Sequence, residues 1–172
     1  MTRIRRRRQA GALATMLLAI GLVSLGGTEA QAQRRQYRPP PEMGLRGGYE
    51  FRGKDWSVGA QARASMARGS DLIFSGDYYF ASGTNFQVNL DIALPLMPGG
   101  GFYGGAGLGM AFTNVGVSTG LATTIGANLL IGLAPYKSGR GGLHWFVEAR
   151  TFLRDGQNPL SLVLGLNAPL GR

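Results

Sequence analysis

The sequence predicts an all-β fold, an eight-stranded antiparallel up-and-down transmembrane β-barrel, on three grounds. Apolar and polar side chains alternate along successive segments, each segment is about ten residues long, and glycine or proline residues separate the segments. In the clearest segment, 85–94, the polar residues Gln87, Asn89 and Asp91 alternate with apolar ones. A period of two places neighbouring side chains on opposite faces of a strand.

The alternation divides the chain after residue 42 into eight predicted strands. Their predicted bounds are 43–51, 55–66, 71–80, 85–94, 101–112, 123–133, 143–152 and 160–168. Every proline of this region lies at a strand end or in a turn, where a missing backbone N–H does least damage. An even number of strands also returns both ends of the barrel to the same side of a membrane, as in bacterial barrels.

Residues 1–32 have the organisation of a cleaved secretory signal peptide. Arg3 and 5–8 precede an apolar run over 10–25, and the small-residue site Ala30-Gln31-Ala32 follows. The apolar run is shorter than the roughly 20 residues that a spanning helix needs, which argues against a retained anchor. The arginines also leave the twin-arginine export route open. We therefore expect the chain to be exported.

A short tether, 33–42, is predicted between the signal peptide and the barrel domain, 43–170. It contains Arg34, Arg35, Arg38 and a run of three prolines, which cannot supply a ladder of backbone donors. This composition predicts an extended periplasmic segment. The net charge of +9 includes the arginines of the signal peptide, and no basic run follows the tether. Nucleic acid is therefore not an expected partner.

The width of the barrel decides which face points inward. An eight-stranded barrel has an interior just wide enough to be filled by side chains, so the small and polar set is predicted to line it. The apolar set then faces lipid. The predicted lumen charge network has nearly balanced charges, as a low-dielectric interior requires, and consists of Arg46, Arg63 and Arg150 opposite Glu50, Asp77, Asp91 and Glu148. The opposite assignment would give a soluble exported lipocalin-like barrel that binds an apolar ligand.

Aromatic residues near the strand ends predict two girdles at the membrane surfaces. The girdle at the outer rim consists of Phe51, Trp56, Tyr78, Phe80, Phe86, Phe112 and Phe152. The girdle at the inner rim consists of Phe102 and Trp145.

No motif predicts a cofactor, a metal or a catalytic site. The glycines of Gly105-x-Gly107-x-Gly109 lie within a continuing strand, whereas a dinucleotide fingerprint must open a helix. Cysteine is absent and His144 is the single histidine, so thiolate and multi-histidine metal sites are excluded. The chain is therefore predicted not to be an enzyme.

The chain resembles the small outer-membrane β-barrel proteins of Gram-negative bacteria, the OmpA-like and OmpX-like superfamily, over about residues 43–170. The resemblance rests on the signal peptide, the alternating strands, the glycine-rich strand over 102–109 and the strand Trp145-Phe146-Val147-Glu148-Ala149-Arg150. Members of this superfamily commonly end the last strand on an aromatic residue, which the insertion machinery reads. This chain instead has Ala168-Pro169-Leu170 at that point.

The resemblance implies a monomeric outer-membrane protein whose partners are outer-membrane lipid and the barrel-insertion machinery. We expect a packed polar lumen, a structural or envelope-associated role and no open pore. The enzymatic alternative is an outer-membrane lipid-modifying enzyme that uses His144. Deacylases of that kind carry a serine two residues after the histidine, and Phe146 occupies this position here.

Overall fold

The computed structural model describes residues 39–66, 69–81, 85–97, 101–114, 121–134, 142–154 and 158–170. The predicted signal peptide and most of the predicted tether lie outside the described residues. The part of the chain that is described contains no helix long and apolar enough to cross a membrane.

The described residues form eight strands in one closed sheet. The strands are β1 (Glu42–Glu50), β2 (Asp55–Ser65), β3 (Asp71–Tyr79), β4 (Asn85–Pro95), β5 (Phe102–Asn114), β6 (Leu121–Leu133), β7 (His144–Leu153) and β8 (Leu160–Pro169). Each strand pairs antiparallel with its neighbours in chain order, and β8 pairs with β1 to close the barrel. The predicted eight-stranded antiparallel barrel is therefore confirmed. We call the end that carries the β1–β2 hairpin the upper end and the opposite end the lower end.

The strand bounds differ from the predicted ones by one or two residues. β5 and β6 extend further toward their shared connection, and β1 begins at Glu42. Glu42 therefore belongs to the barrel and not to the tether, because it pairs with Arg63 of β2 and Pro169 of β8.

The two faces of the sheet have opposite chemistry. Exposed fractions are 75% for Leu45, 66% for Trp56 and 68% for Ile125, which point outward, but 0% for the inward-facing Asp91 and Glu148. A water-soluble barrel with an apolar cavity requires the reverse arrangement. The face assignment of the lipocalin-like alternative is therefore wrong.

The interior also holds apolar side chains that the sequence analysis did not place there. The buried cluster Ile73, Ala93, Tyr103 and Leu130 lies in the lower half of the lumen, and Phe146 is fully buried. These apolar side chains therefore share the lumen with the polar residues.

Glycines on neighbouring strands make room for the large rings. Phe146 lies opposite Gly165 in the β7–β8 register, and a Cβ atom at Gly165 would collide with the Phe146 ring. Tyr103 has the same relation to Gly132 across the β5–β6 pair. A narrow lumen can therefore hold large rings where the facing backbone lacks a side chain.

Candidate functional site

The centre of the lumen contains a bidentate ion pair. Arg46 donates from Nε to Asp77 Oδ1 at 2.7 Å and from Nη2 to Asp77 Oδ2 at 2.5 Å. Arg46 Nη1 also donates to Gln61 Oε1 at 3.3 Å. Parallel N–H···O bonds between a guanidinium and a carboxylate are strong and fix the geometry of both groups. The pair therefore ties β1 to β3 across the intervening strand β2.

A second cluster surrounds Arg150 of β7. Its Nη1 lies 2.8 Å from Asp91 Oδ2 of β4, and its Nη2 lies 3.2 Å from Glu148 Oε2. Tyr103 donates its hydroxyl to Glu148 Oε1 at 2.7 Å, and Asn128 Nδ2 donates to Asp91 Oδ1 at 2.9 Å. Both carboxylates are fully buried. Each carboxylate thus forms an ion pair with Arg150 and accepts a hydrogen bond from one neutral donor, and both interactions offset the cost of burying its charge.

Asn89 joins the two clusters. Its Oδ1 accepts hydrogen bonds from Gln87 Nε2 at 2.6 Å and from Asn128 Nδ2 at 3.0 Å. Its Nδ2 donates to Ser75 Oγ at 3.3 Å and to Asp77 Oδ2 at 3.5 Å, which links it to the Arg46–Asp77 pair. The polar side chains therefore form one hydrogen-bonded network that crosses the lumen from wall to wall.

Arg63 lies lower in the lumen. Its guanidinium carbon lies 4.5 Å from the centre of the Tyr103 ring, and its Nε lies 3.4 Å from Asp71 Oδ2. Stacking on an aromatic face and pairing with a carboxylate both stabilise a buried guanidinium. Because Tyr103 also contacts Glu148, it connects Arg63 to the Arg150 cluster.

The structure differs from the predicted charge network at Glu50. This residue lies at the upper end of β1, where its Oε1 accepts the backbone N–H groups of Arg52 at 2.6 Å and Gly53 at 3.0 Å. It therefore stabilises the β1–β2 hairpin, and among the described residues it forms no ion pair with Arg46, Arg63 or Arg150.

Glu42 is a lumen carboxylate that the sequence analysis missed. It is 3% exposed, lies 3.3 Å from His144 Nε2 and accepts from Asn167 Nδ2 at 3.4 Å. The sequence contains evidence for this position, because Glu42 and Arg46 are an even number of residues apart and alternate residues of a strand share a face. The three prolines immediately before Glu42 instead predict that the strand begins after it.

The aromatic residues predicted for the girdles divide into two groups. Those that point outward at the upper end are Phe51, Trp56, Tyr78, Phe80, Phe86 and Phe112, and those that point outward at the lower end are Phe102 and Trp145. Phe152 is different, because it is buried and points into the lumen with Arg150. The prediction that Phe152 belongs to the outer girdle is therefore wrong.

A cavity of about 230 Å³ lies above the network at the upper end. Its polar lining includes Tyr79, Gln87, Arg150 and Ser161, and the Phe152 ring forms an apolar part of the wall. The cavity has room for several waters. The hydrogen-bonded network lies below it.

The described residues do not assemble a metal centre. Within them, no group of three or more His, Cys, Asp or Glu side chains is placed to hold a metal ion. His144 contacts Glu42 at the lower end, whereas the cavity lies at the upper end.

Comparisons with known proteins identify the fold. No protein-family model matches the chain, and no curated protein matches it. Among solved structures, the N-terminal β-barrel domain of Pseudomonas aeruginosa OprF is similar at 18% identity, with 77% of this chain and 98% of that chain covered and a TM-score of 0.64. Neisserial surface protein A is similar at 14% identity, with 77% and 96% covered and a TM-score of 0.54. The chain therefore has the fold of the small eight-stranded outer-membrane β-barrels.

Proposed function

We propose that this protein is a monomeric outer-membrane barrel whose packed polar lumen prevents the passage of solutes, and that its role is in the structure of the cell envelope. In this proposal the barrel-insertion machinery places the exported chain in the outer membrane, where lipid covers the outward face. The apolar belt of that face supports membrane insertion, because a closed barrel satisfies all of its backbone groups without water.

The observation that carries the proposal of a closed lumen is the hydrogen-bonded network. Arg46, Asp77, Asp91, Glu148 and Arg150 are each nearly inaccessible to solvent. A water-filled channel of useful width would leave such side chains hydrated. Their burial supports a barrel that is filled across its middle.

The short connections at the upper end favour a structural role over adhesion. Between paired strands, the upper connections span residues 51–54, 80–84, 115–120 and 154–159. Segments of this length offer little surface for a protein receptor outside the membrane. We also propose that His144 has a structural role, since its ring pairs with the buried Glu42.

Planar-bilayer recording tests the proposal of a closed lumen. The mature protein is reconstituted at a known number of molecules per area, and a general porin is measured in parallel under the same salt. We expect the barrel to insert without conductance steps of porin size. Reproducible steps of that size from folded protein would overturn the closed-lumen proposal.

A further inference from the structure

The proposed structural role does not use the cavity at the upper end, which we call the upper cavity. Its volume of about 230 Å³ corresponds to the liquid volume of about eight waters. The upper cavity is partly open, and Gln87 and Arg150 belong both to its lining and to the hydrogen-bonded network below it. It therefore has room for one small molecule and is too small for the drug-sized ligands that larger pockets hold.

The formal charges of the described lining residues cancel. Glu50 and Asp55 contribute two negative charges, and Arg150 and Arg154 contribute two positive charges. Glu50 already accepts backbone N–H groups of the β1–β2 hairpin, and Arg150 already pairs with two buried carboxylates. A ligand with a net charge would disturb this balance. The lining thus favours an uncharged ligand.

The hydrogen-bonding groups of the lining are of every kind. The carboxylates only accept, the guanidinium groups only donate, and the hydroxyls and amides do both. The lining residues with a hydroxyl or an amide are Tyr79, Asn85, Gln87, Thr113 and Ser161. A phosphate dianion only accepts and an ammonium group only donates, whereas each hydroxyl of a sugar does both. This mixture therefore fits a ligand that carries several hydroxyl groups.

An apolar ring completes the lining. Phe152 is 4% exposed, and a Cβ atom added at Gly126 or Gly109 would lie 2.6 Å or 2.9 Å from its Cε2 atom. The ring is therefore held against the backbones of β6 and β5, where neither strand has a side chain. A pyranose ring has C–H groups on its faces and hydroxyls around its edge, so it can contact an aromatic ring and polar groups at the same time.

We propose that the upper cavity binds one neutral monosaccharide unit. Its hydroxyls bind Tyr79, Gln87 and Ser161, and one of its faces lies against Phe152. The Tyr79 hydroxyl already lies within hydrogen-bonding reach of the Ser161 hydroxyl, so the two groups can bind neighbouring hydroxyls of the sugar. The sugar is either a free saccharide or the terminal unit of a glycolipid. This binding function goes beyond the proposed structural role and does not depend on it.

Saturation-transfer difference NMR tests the proposal. The mature protein is folded in dodecylphosphocholine micelles, because the headgroups of glucoside and maltoside detergents would themselves occupy the site. The probes are the methyl glycosides of glucose, galactose and mannose. We expect at least one of them to bind with a dissociation constant of about 1–10 mM, as is usual for an uncharged ligand of this size. Glycine and acetate should not displace it.

Removal of one hydroxyl provides the decisive comparison. Tyr79→Phe should weaken binding of the glycoside by about three- to tenfold, the usual effect of one hydrogen bond. The matched control is Tyr78→Phe, which removes a hydroxyl from the neighbouring, outward-facing residue and should leave the affinity unchanged. Ala111→Leu adds volume to the lining and should abolish binding. Circular dichroism verifies that each variant keeps the β-barrel.

The source of the sugar is determined in lipid nanodiscs made with and without lipopolysaccharide. Loss of the glycoside signal when lipopolysaccharide is present would support a sugar that is anchored in the same membrane. An unchanged signal would support a free saccharide.

Three results would overturn the proposal. These are the absence of a signal from all three glycosides with folded protein, displacement of the glycoside by glycine or acetate, and equal affinities of the Tyr79→Phe and Tyr78→Phe variants. Conductance of porin size together with glycoside binding would overturn only the closed lumen. Absence of glycoside binding without such conductance would overturn only the sugar site.

Discussion

The fit between single residues in the lumen depends on glycines that face large rings. An added methyl group at Gly165 would collide with the Phe146 ring and with the backbone carbonyl oxygen of Leu45 in β1, so both would have to move. We expect Gly165→Ala to lower the free energy of unfolding by about 1–3 kcal/mol, the usual cost of overpacking a core. Urea unfolding of the reconstituted barrel, followed by tryptophan fluorescence, measures this change.

Gly47 provides the matched control for that substitution. It lies on the outward face of β1, where the nearest atom to an added Cβ would be the Ser57 carbonyl oxygen at 3.7 Å. We expect Gly47→Ala to change the free energy of unfolding by less than about 0.5 kcal/mol, as at an ordinary surface site. Equal effects of the two substitutions would contradict the account of how rings fill the lumen.

In strand β7, the alternation of faces and the type of the residue predict different faces for Phe152. Trp145 and Val147 occupy odd positions and point outward, whereas Arg150 and Phe152 share the inward face. Its aromatic ring and its place near a strand end predict an outward position for Phe152, which is wrong. The period of the strand is the stronger signal, since a residue in a continuous strand cannot change faces without a bulge.

Spin labels on β4 and β7 test this assignment of faces. The chain lacks cysteine, so Leu90→Cys and Phe152→Cys each introduce a single labelling position. We expect the label at 90 to collide readily with oxygen dissolved in the bilayer, because Leu90 is exposed on the outer face. The label at 152 should collide less often with oxygen, and paramagnetic resonance saturation measures both. High oxygen accessibility at 152 would show that Phe152 faces lipid.

Over the whole molecule, the sequence predicted the barrel better than its interior. The alternation of apolar and polar residues predicts where the strands lie. An even number of strands, each with one polar face, favours a closed barrel. The ion-pair partner of each charged side chain depends on the strand register and on the shear of the closed sheet. The alternation of apolar and polar residues specifies neither. Arg46 therefore pairs with Asp77 two strands away. Glu42 and Glu50 both lie on the inward face of β1. Glu42 is buried in the lumen at the lower end and Glu50 lies beside the hairpin at the upper end, and alternation alone does not distinguish these two positions.

The central claim is that a closed barrel exposes its apolar face to the lipid of the outer membrane. Cell fractionation followed by gel electrophoresis of the mature protein in SDS, with and without boiling, tests it most directly. We expect recovery in the outer-membrane fraction and a change in mobility on boiling, because a closed barrel resists unfolding by detergent until it is heated. Recovery as free periplasmic protein with the same mobility in both samples would contradict it.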